Sequence, residues 1–120
     1  MAMYFYYKER RFEVKVDKTD FFGRFRGLMF RPRETNNLIF DFKKDLRWAI
    51  HSFFVFFPFL TLWLDEKNNV IDWMIVRPWA FSVLPIAKKK FRKIVELPLN
   101  GSNERIFRFF VGIKKDLNIT

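Results

Sequence analysis

The longest apolar run, from Trp48 to Leu64, constrains this chain more than any other feature. Its only polar side chains are those of His51, Ser52 and Thr61, and its length approaches that of a membrane-spanning helix. Basic residues precede the run and acidic residues follow it, which would fit the positive-inside rule. Pro58, however, divides it into two pieces of strand length that are rich in the strand-favouring residues Phe, Val, Ile and Trp. The run therefore predicts two buried strands rather than a transmembrane segment.

Alternating apolar and polar residues predict strands on both sides of this run, because successive side chains of a strand face opposite sides of a sheet. Between residues 11 and 16, for example, every second residue is charged. We expect the strands at 48–57, 59–64 and 70–77 to be buried on both faces, since they are almost uniformly apolar. The full set of predicted strands covers residues 4–7, 11–16, 38–42, 48–57, 59–64, 70–77, 94–97 and 117–119.

Apolar residues at three- and four-residue spacing predict two short helices. The first follows Asp17 or Thr19, either of which could cap it. The second is capped by Ser102 and ended by Gly112. The predicted fold is therefore mostly β: a small barrel-like or rolled antiparallel or mixed sheet with two short helices, in a single domain spanning residues 1–120.

Composition adds an aromatic surplus and a basic charge. The chain holds 18 Phe, 4 Trp and 3 Tyr, so we expect some aromatic side chains to form an apolar surface patch for a ligand or a partner. The formal net charge of +10 would attract nucleic acid or anionic lipid. The absence of Cys excludes disulfides and thiolate nucleophiles. The amino terminus lacks the features of a secretory signal, so the sequence predicts a cytoplasmic protein.

Several short motifs follow one another in a distinctive order. Thr19 is followed by Gly27-Leu28-Met29-Phe30-Arg31, and largely apolar segments come later at 38–42, at 58–65 with Val70 after it, and at 94–97, before a closing segment at 113–119. In order and spacing these resemble the domain of unknown function 192 family, a group of small, barrel-like, mostly β-strand proteins with short helices and no established activity. Many members carry Met-Asn-Thr in the central strand and an Asp two residues after the proline. This chain has Ser52 to Val55 and Leu60 there instead.

His51 and Glu96 are the two candidates for acid–base chemistry. A catalytic His51 would need a carboxylate to orient its second nitrogen, and the neighbouring sequence supplies none. We therefore favour a partly buried, structural histidine. Burial could raise the pKa of Glu96, or pairing with Arg26 or Arg31 could lower it, and we favour an ion pair or a position at the rim of the sheet. A single His without Cys makes a metal site improbable, and no cofactor is predicted.

Two further sets of residues could bind anions. Gly27 could form an anion-binding corner with Arg26 and Arg31, although we favour a helix-ending glycine followed by solvated arginines. The basic segment at 88–93 could follow a phosphate backbone while Phe91 stacks on a base, although solvated loops of this kind are more common. The cations of this segment that we considered as binding residues are Lys88, Lys89 and Lys90.

The sequence thus favours a non-enzymatic module that binds a ligand or a partner in an aromatic-rich apolar cleft. The partner is unknown, and an apolar small molecule or a protein fits this hypothesis. The main alternative is sequence-independent binding of nucleic acid through a basic surface. A small-molecule enzyme using His51 or Glu96 is a third hypothesis, for which the sequence offers no complete set of catalytic groups.

Overall fold

The computed structural model describes residues 1–18, 32–46, 57–78 and 90–118, and in them one six-stranded sheet dominates. A single 3₁₀ turn, Gly101–Asn103, leads into the helix α1, Glu104–Asn118. The predicted mostly β class is confirmed. In chain order, the strands are β1 (Ala2–Tyr7), β2 (Arg10–Lys18), β3 (Asn37–Leu46), β4 (Phe59–Leu64), β5 (Val70–Val76) and β6 (Phe91–Pro98).

The sheet has the order β1-β2-β3-β6-β4-β5, with β2 and β3 parallel and all other neighbours antiparallel. It curls so that its two edge strands approach each other at one end. There the Tyr6 backbone N–H donates to the Asn68 carbonyl at 3.0 Å, and the Asn68 Nδ2 group donates to the Tyr4 carbonyl at 2.9 Å. The rolled mixed sheet expected from the sequence is therefore a half-barrel.

Alternation of side chains produces two buried faces on this sheet. The helix face packs under α1 and includes Phe5, Leu62 and Val95, together with Phe110 of the helix itself. On the opposite side lies the aromatic face, whose buried members are Leu38, Phe40, Phe42, Phe57, Phe59, Trp63, Val76, Phe91 and Ile94. Most of the aromatic side chains in these two clusters are therefore buried in the core and are not exposed at the surface.

The central strands show how position in the sheet decides burial. All six residues of β4 are buried because β5 and β6 flank it on both edges. The same expectation for β5 is wrong: of its residues, only Val76 is buried. Since β5 lies at the edge of the sheet, its side chains keep partial contact with solvent.

The turn between β4 and β5 is built around Asp65. Its Oδ1 atom accepts hydrogen bonds from the backbone N–H groups of Lys67 and Asn69, both at 2.9 Å, and its Oδ2 atom accepts one from the Asn69 amide at 3.0 Å. Partial burial acts to raise the pKa of Asp65, but these hydrogen bonds outweigh it and hold the pKa below its usual value. The stabilisation that this carboxylate provides is therefore present above its ordinary pKa, and it is lost as the pH falls through the lowered one.

The structure corrects three boundaries predicted from the sequence. The helix α1 continues past Gly112 to Asn118, so residues 117 and 118 are helical rather than a strand. Asn100, not Ser102, caps the turn before α1, because its Oδ1 atom accepts the Ser102 N–H at 3.1 Å. The strand β2 runs through Asp17, so Asp17 does not cap a helix. The predicted first helix and the strand at 48–57, apart from Phe57, lie outside the described residues.

Within the described ranges, no helix combines the length and the apolar character needed to cross a membrane.

Candidate functional site

Glu96 lies in the middle of β6 with only 5% of its surface exposed. Its partners across the sheet are Leu38 of β3 and Thr61 of β4. Because directly opposed residues of antiparallel strands place their side chains on the same face, the Glu96 and Thr61 side chains are neighbours. The two residues belong to the aromatic face, since the residues that flank Glu96 in the chain, Val95 and Leu97, belong to the helix face.

Thr61 and Trp63 add two more polar groups to this face, and both side chains are fully buried. Within the part of the chain that the structure describes, the Thr61 Oγ1 atom and the Trp63 Nε1 atom have no hydrogen-bond partner. A buried polar group left unpaired costs about 1–3 kcal/mol, and such groups are rare in folded proteins. Glu96, Thr61 and Trp63 therefore form a polar row on an otherwise apolar and aromatic surface.

The Thr61 hydroxyl gives a direct test of this description. Thr61→Val replaces an unpaired hydroxyl with a methyl group of similar size, so we expect it to raise the free energy of unfolding by about 1 kcal/mol. Thr61→Ser is the matched control: it keeps the hydroxyl and removes a methyl group, and it should lower stability by about 0.8 kcal/mol. Urea denaturation of both variants measures the difference. A destabilised Thr61→Val variant would mean that the hydroxyl has a bonding partner.

An apolar groove of about 580 Å³ lies elsewhere on the molecule, beside α1. Three charged side chains, Arg77, Glu104 and Arg108, stand among its lining residues, and Arg108 forms an ion pair with Glu104 one helical turn away. Phe107 is the aromatic residue of the lining, so the groove is largely aliphatic, whereas the sequence led us to expect aromatic lining. The apolar part of the groove consists of Pro58, Ile75, Leu99, Phe107, Val111 and Gly112.

Two of these apolar residues are unusually open to solvent. Leu99 is 37% exposed and Val111 is 45% exposed, and both are large hydrophobic side chains. Gly112 also lines the groove, and a Cβ atom added there would meet no described atom within 4 Å apart from its chain neighbours and the backbone of its own helix. The groove is therefore accessible to solvent, and the side of the groove formed by α1 leaves space for a ligand.

A second cavity, of about 460 Å³, is polar. It lies at the start of α1, and four of its lining residues are asparagines. We call it the asparagine cleft. Its lining consists of Glu13, Val14, Lys15, Glu34, Thr35, Asn36, Asn37, Asn100, Ser102, Asn103 and Ile106.

The structure places three of the residues that the sequence singled out. Glu96 is buried in the polar row, Lys90 is exposed just before β6, and Phe91 is fully buried in β6. The Phe91 ring packs against Phe42, with ring centroids 6.2 Å apart, so in this position it is not available to stack on a base. The remaining candidates, Arg26, Gly27, Arg31, His51, Lys88 and Lys89, lie outside the described residues.

The sequence analysis predicted an apolar cleft but named none of the residues that line the groove, and it did not anticipate the asparagine cleft. A usable signal was present for the groove, because Phe107 and Val111 are four residues apart and therefore share one side of the helix. Among the residues that the structure describes, no group of three His, Asp or Glu side chains could hold a metal ion.

Comparison with known proteins identifies relatives of this chain. The domain of unknown function 192 model, described as "Uncharacterized ACR", matches residues 5–106. A UPF0127 protein of Thermococcus sibiricus is 38% identical over 88 residues, which are 72% of this chain and 54% of that protein. Another, from Pyrococcus furiosus, is 32% identical over 92 residues, or 76% of each chain. This chain thus spans about half the length of the first of these relatives.

Two crystal structures share the fold at low sequence identity. One is a Sinorhizobium meliloti protein described provisionally as a transcription regulator, with a TM-score of 0.71 and 16% identity over 88% of this chain and 83% of that one. The other is a Novosphingobium aromaticivorans protein of unknown function, with a TM-score of 0.70 and 13% identity over 87% of this chain and 76% of that one. These likenesses establish the half-barrel architecture alone.

Proposed function

This chain belongs to the domain of unknown function 192 family, and we propose that it is a non-enzymatic binding module whose apolar groove takes a small amphiphilic ligand. The observation that carries the proposal is the groove itself: an accessible space of about 580 Å³ with Leu99 and Val111 exposed along it. Small-molecule sites typically measure roughly 300–1,000 Å³ and have mostly apolar walls.

The charged residues at the groove favour an anionic group on the ligand. Arg77 and Arg108 supply two positive charges against the single carboxylate of Glu104. The charged side chains of the lining therefore sum to one net positive charge, which favours an anionic head group on the ligand. The chain as a whole carries a formal net charge of +10, which also favours encounter with anions. A linear carboxylate with an apolar tail fits both the charged and the apolar residues of the groove lining.

Gly112 supports the same proposal. A glycine lowers the stability of the helix, and the space that it leaves in the groove explains its presence. A glycine inside a helix is about 1 kcal/mol less favourable than alanine. No steric contact requires it here, since an added Cβ atom would meet open space. We infer that the missing side chain keeps the groove open, so that helix stability is given up in exchange for room for a ligand.

The lining also explains why we propose binding rather than catalysis. A nucleophile in an enzyme needs an adjacent base that activates it. The groove instead offers aliphatic surface, one phenylalanine and an ion pair. These groups can hold and orient a ligand.

Decanoate binding, measured by isothermal titration calorimetry on the whole chain, tests the proposal. We expect saturable binding that is at least tenfold weaker in Gly112→Leu, because the new side chain fills the groove. Gly112→Leu should be at least as stable as the parent chain, since leucine favours helices. Gly101→Ala is the matched control, because a Cβ atom at Gly101 also meets no neighbour but lies outside the groove lining.

A comparison of two ligands with opposite charges tests whether the groove prefers an anionic head group. Decyltrimethylammonium has an apolar tail of the same length and a positive head group, so it should bind more weakly than decanoate. Equal binding of both would remove the role assigned to the net positive charge of the groove lining. If decanoate binds Gly112→Leu as tightly as it binds the parent chain, the groove is not the site.

A further inference from the structure

The asparagine cleft is a preorganised polar cavity, distinct from the apolar groove. Its amide side chains are held in place by hydrogen bonds that join separate parts of the fold. The Asn103 Nδ2 group donates to the Asn37 Oδ1 atom at 2.8 Å and to the Pro98 carbonyl at 2.7 Å. The Asn37 Nδ2 group donates in turn to the Lys15 carbonyl at 2.8 Å. These bonds connect β2, β3, β6 and the start of α1.

The wall of the cleft is held in a similar way. The Asn100 Nδ2 group donates to the Arg33 carbonyl at 3.0 Å, while its Oδ1 atom accepts the Ser102 N–H. The Asn36 Nδ2 group donates to the Asp17 carboxylate at 2.9 Å. A side chain that is already held in place loses little conformational entropy when a ligand binds. The asparagine side chains of the cleft are therefore preorganised for a ligand.

Hydrogen-bonding capacity is left over at this site. An amide side chain has two N–H donors and one carbonyl acceptor, and the bonds of Asn36 and Asn37 described above use one N–H of each. With respect to the described residues, the second N–H of each amide and the exposed carboxylates of Glu13 and Glu34 remain for a ligand. The buried side chains of Val14 and Ile106 also line the cleft and supply a small apolar area.

This combination selects one class of ligand. The amide N–H groups donate and the carboxylate oxygens accept, which matches vicinal hydroxyl groups that can do both. Glu13 and Glu34 outnumber Lys15, so a phosphate or another anion is disfavoured at the cleft even though the chain as a whole is basic. The apolar area is too small for a lipid tail but suits the C–H face of a ring. We propose that the asparagine cleft binds a neutral, polyhydroxylated ring such as a monosaccharide or a cyclitol.

Nuclear magnetic resonance of the ¹⁵N-labelled chain tests this site. We expect myo-inositol and glucose, added separately, to produce saturable shifts at Asn36, Asn37, Ser102 and Asn103. Asn36→Ala and Glu34→Gln change exposed residues, so both variants should fold normally. Each should weaken the affinity by about three- to tenfold, because Asn36→Ala removes a donor and Glu34→Gln removes the charge that strengthens an acceptor.

Two comparisons make the result decisive. Glu66→Gln neutralises an exposed carboxylate in the turn between β4 and β5, outside the cleft, and should leave the affinity unchanged. An inositol phosphate should bind more weakly than myo-inositol because of Glu13 and Glu34. The proposal is overturned if neither neutral ring gives saturable shifts, if Asn36→Ala and Glu34→Gln bind like the parent chain, or if the phosphate binds more tightly.

Discussion

Replacing Phe110 with alanine is expected to lower the free energy of unfolding by about 3–5 kcal/mol, the range measured for buried aromatic residues. Phe110 is fully buried on the helix face, where it holds α1 against the sheet. Its ring lies 5.0 Å from Trp73 and 5.4 Å from Tyr7, measured between centroids, and 6.2 Å from Phe12. These partners come from three different strands, so truncation leaves a cavity that no single neighbour can fill.

Urea denaturation followed by far-ultraviolet circular dichroism measures this effect. Val111→Ala is the control, because Val111 is the next residue of the same helix and is largely exposed. We expect its cost to stay below about 1 kcal/mol. A loss of less than 1 kcal/mol in Phe110→Ala would contradict the packing of α1 against the sheet.

Asn103→Ala is expected to destabilise the chain by about 2–4 kcal/mol, a large effect for a polar residue. Asn103 is only 2% exposed and donates two short hydrogen bonds, to Asn37 and to the Pro98 carbonyl. Removing the donor leaves two acceptors without their partner, and each unpaired buried group costs about 1–3 kcal/mol. The variant should also lose its affinity for polyhydroxylated rings, because Asn37 would no longer be held in place.

Asn36→Ala is the control for Asn103→Ala, because it removes an exposed amide where Asn103→Ala removes a buried one. The hydrogen bond from Asn36 to Asp17 is exposed, so its removal should cost less than about 1 kcal/mol. Thermal denaturation of the two variants side by side gives the comparison. Similar losses of stability would show that Asn103 does not tie the strands to the start of α1 in the way described.

The strands could largely be predicted from local patterns, because the alternation of side chains is itself local. The segments at 4–7, 11–16, 38–42 and 59–64 all lie within observed strands. The burial of β5 could not be predicted in this way, since Val70–Val76 is as apolar as a central strand but occupies an edge. Strand order is set by contacts between distant parts of the chain.

The end of α1 shows a second limit of local rules. Gly112 has the residue type that ends many helices, yet α1 continues for six more residues. Packing of the preceding turns through Ile106, Phe107 and Phe110 fixes the helix on the sheet, and a single glycine costs too little to end it there. Tertiary contacts thus override the local signal.

The candidate sites depend even more on long-range structure. The groove brings together Pro58, Ile75, Leu99 and Phe107, which come from four separate parts of the chain. Glu96 was expected in an ion pair or at the rim of the sheet, and the rim position is wrong, because Glu96 is 5% exposed between β3 and β4. Its expected partners Arg26 and Arg31 lie outside the described residues. Its neighbours Thr61 and Trp63 could not be assigned to it before the pairing of β4 with β6 was known.

The most direct test of the proposed function is a map of where decanoate binds, obtained from amide chemical shifts during a titration of the ¹⁵N-labelled chain. The account predicts saturable shifts centred on Leu99, Phe107, Val111 and Gly112, with the asparagine cleft unaffected. Shifts that do not saturate, or that centre on residues outside the groove, would contradict the proposal that the groove is the binding site.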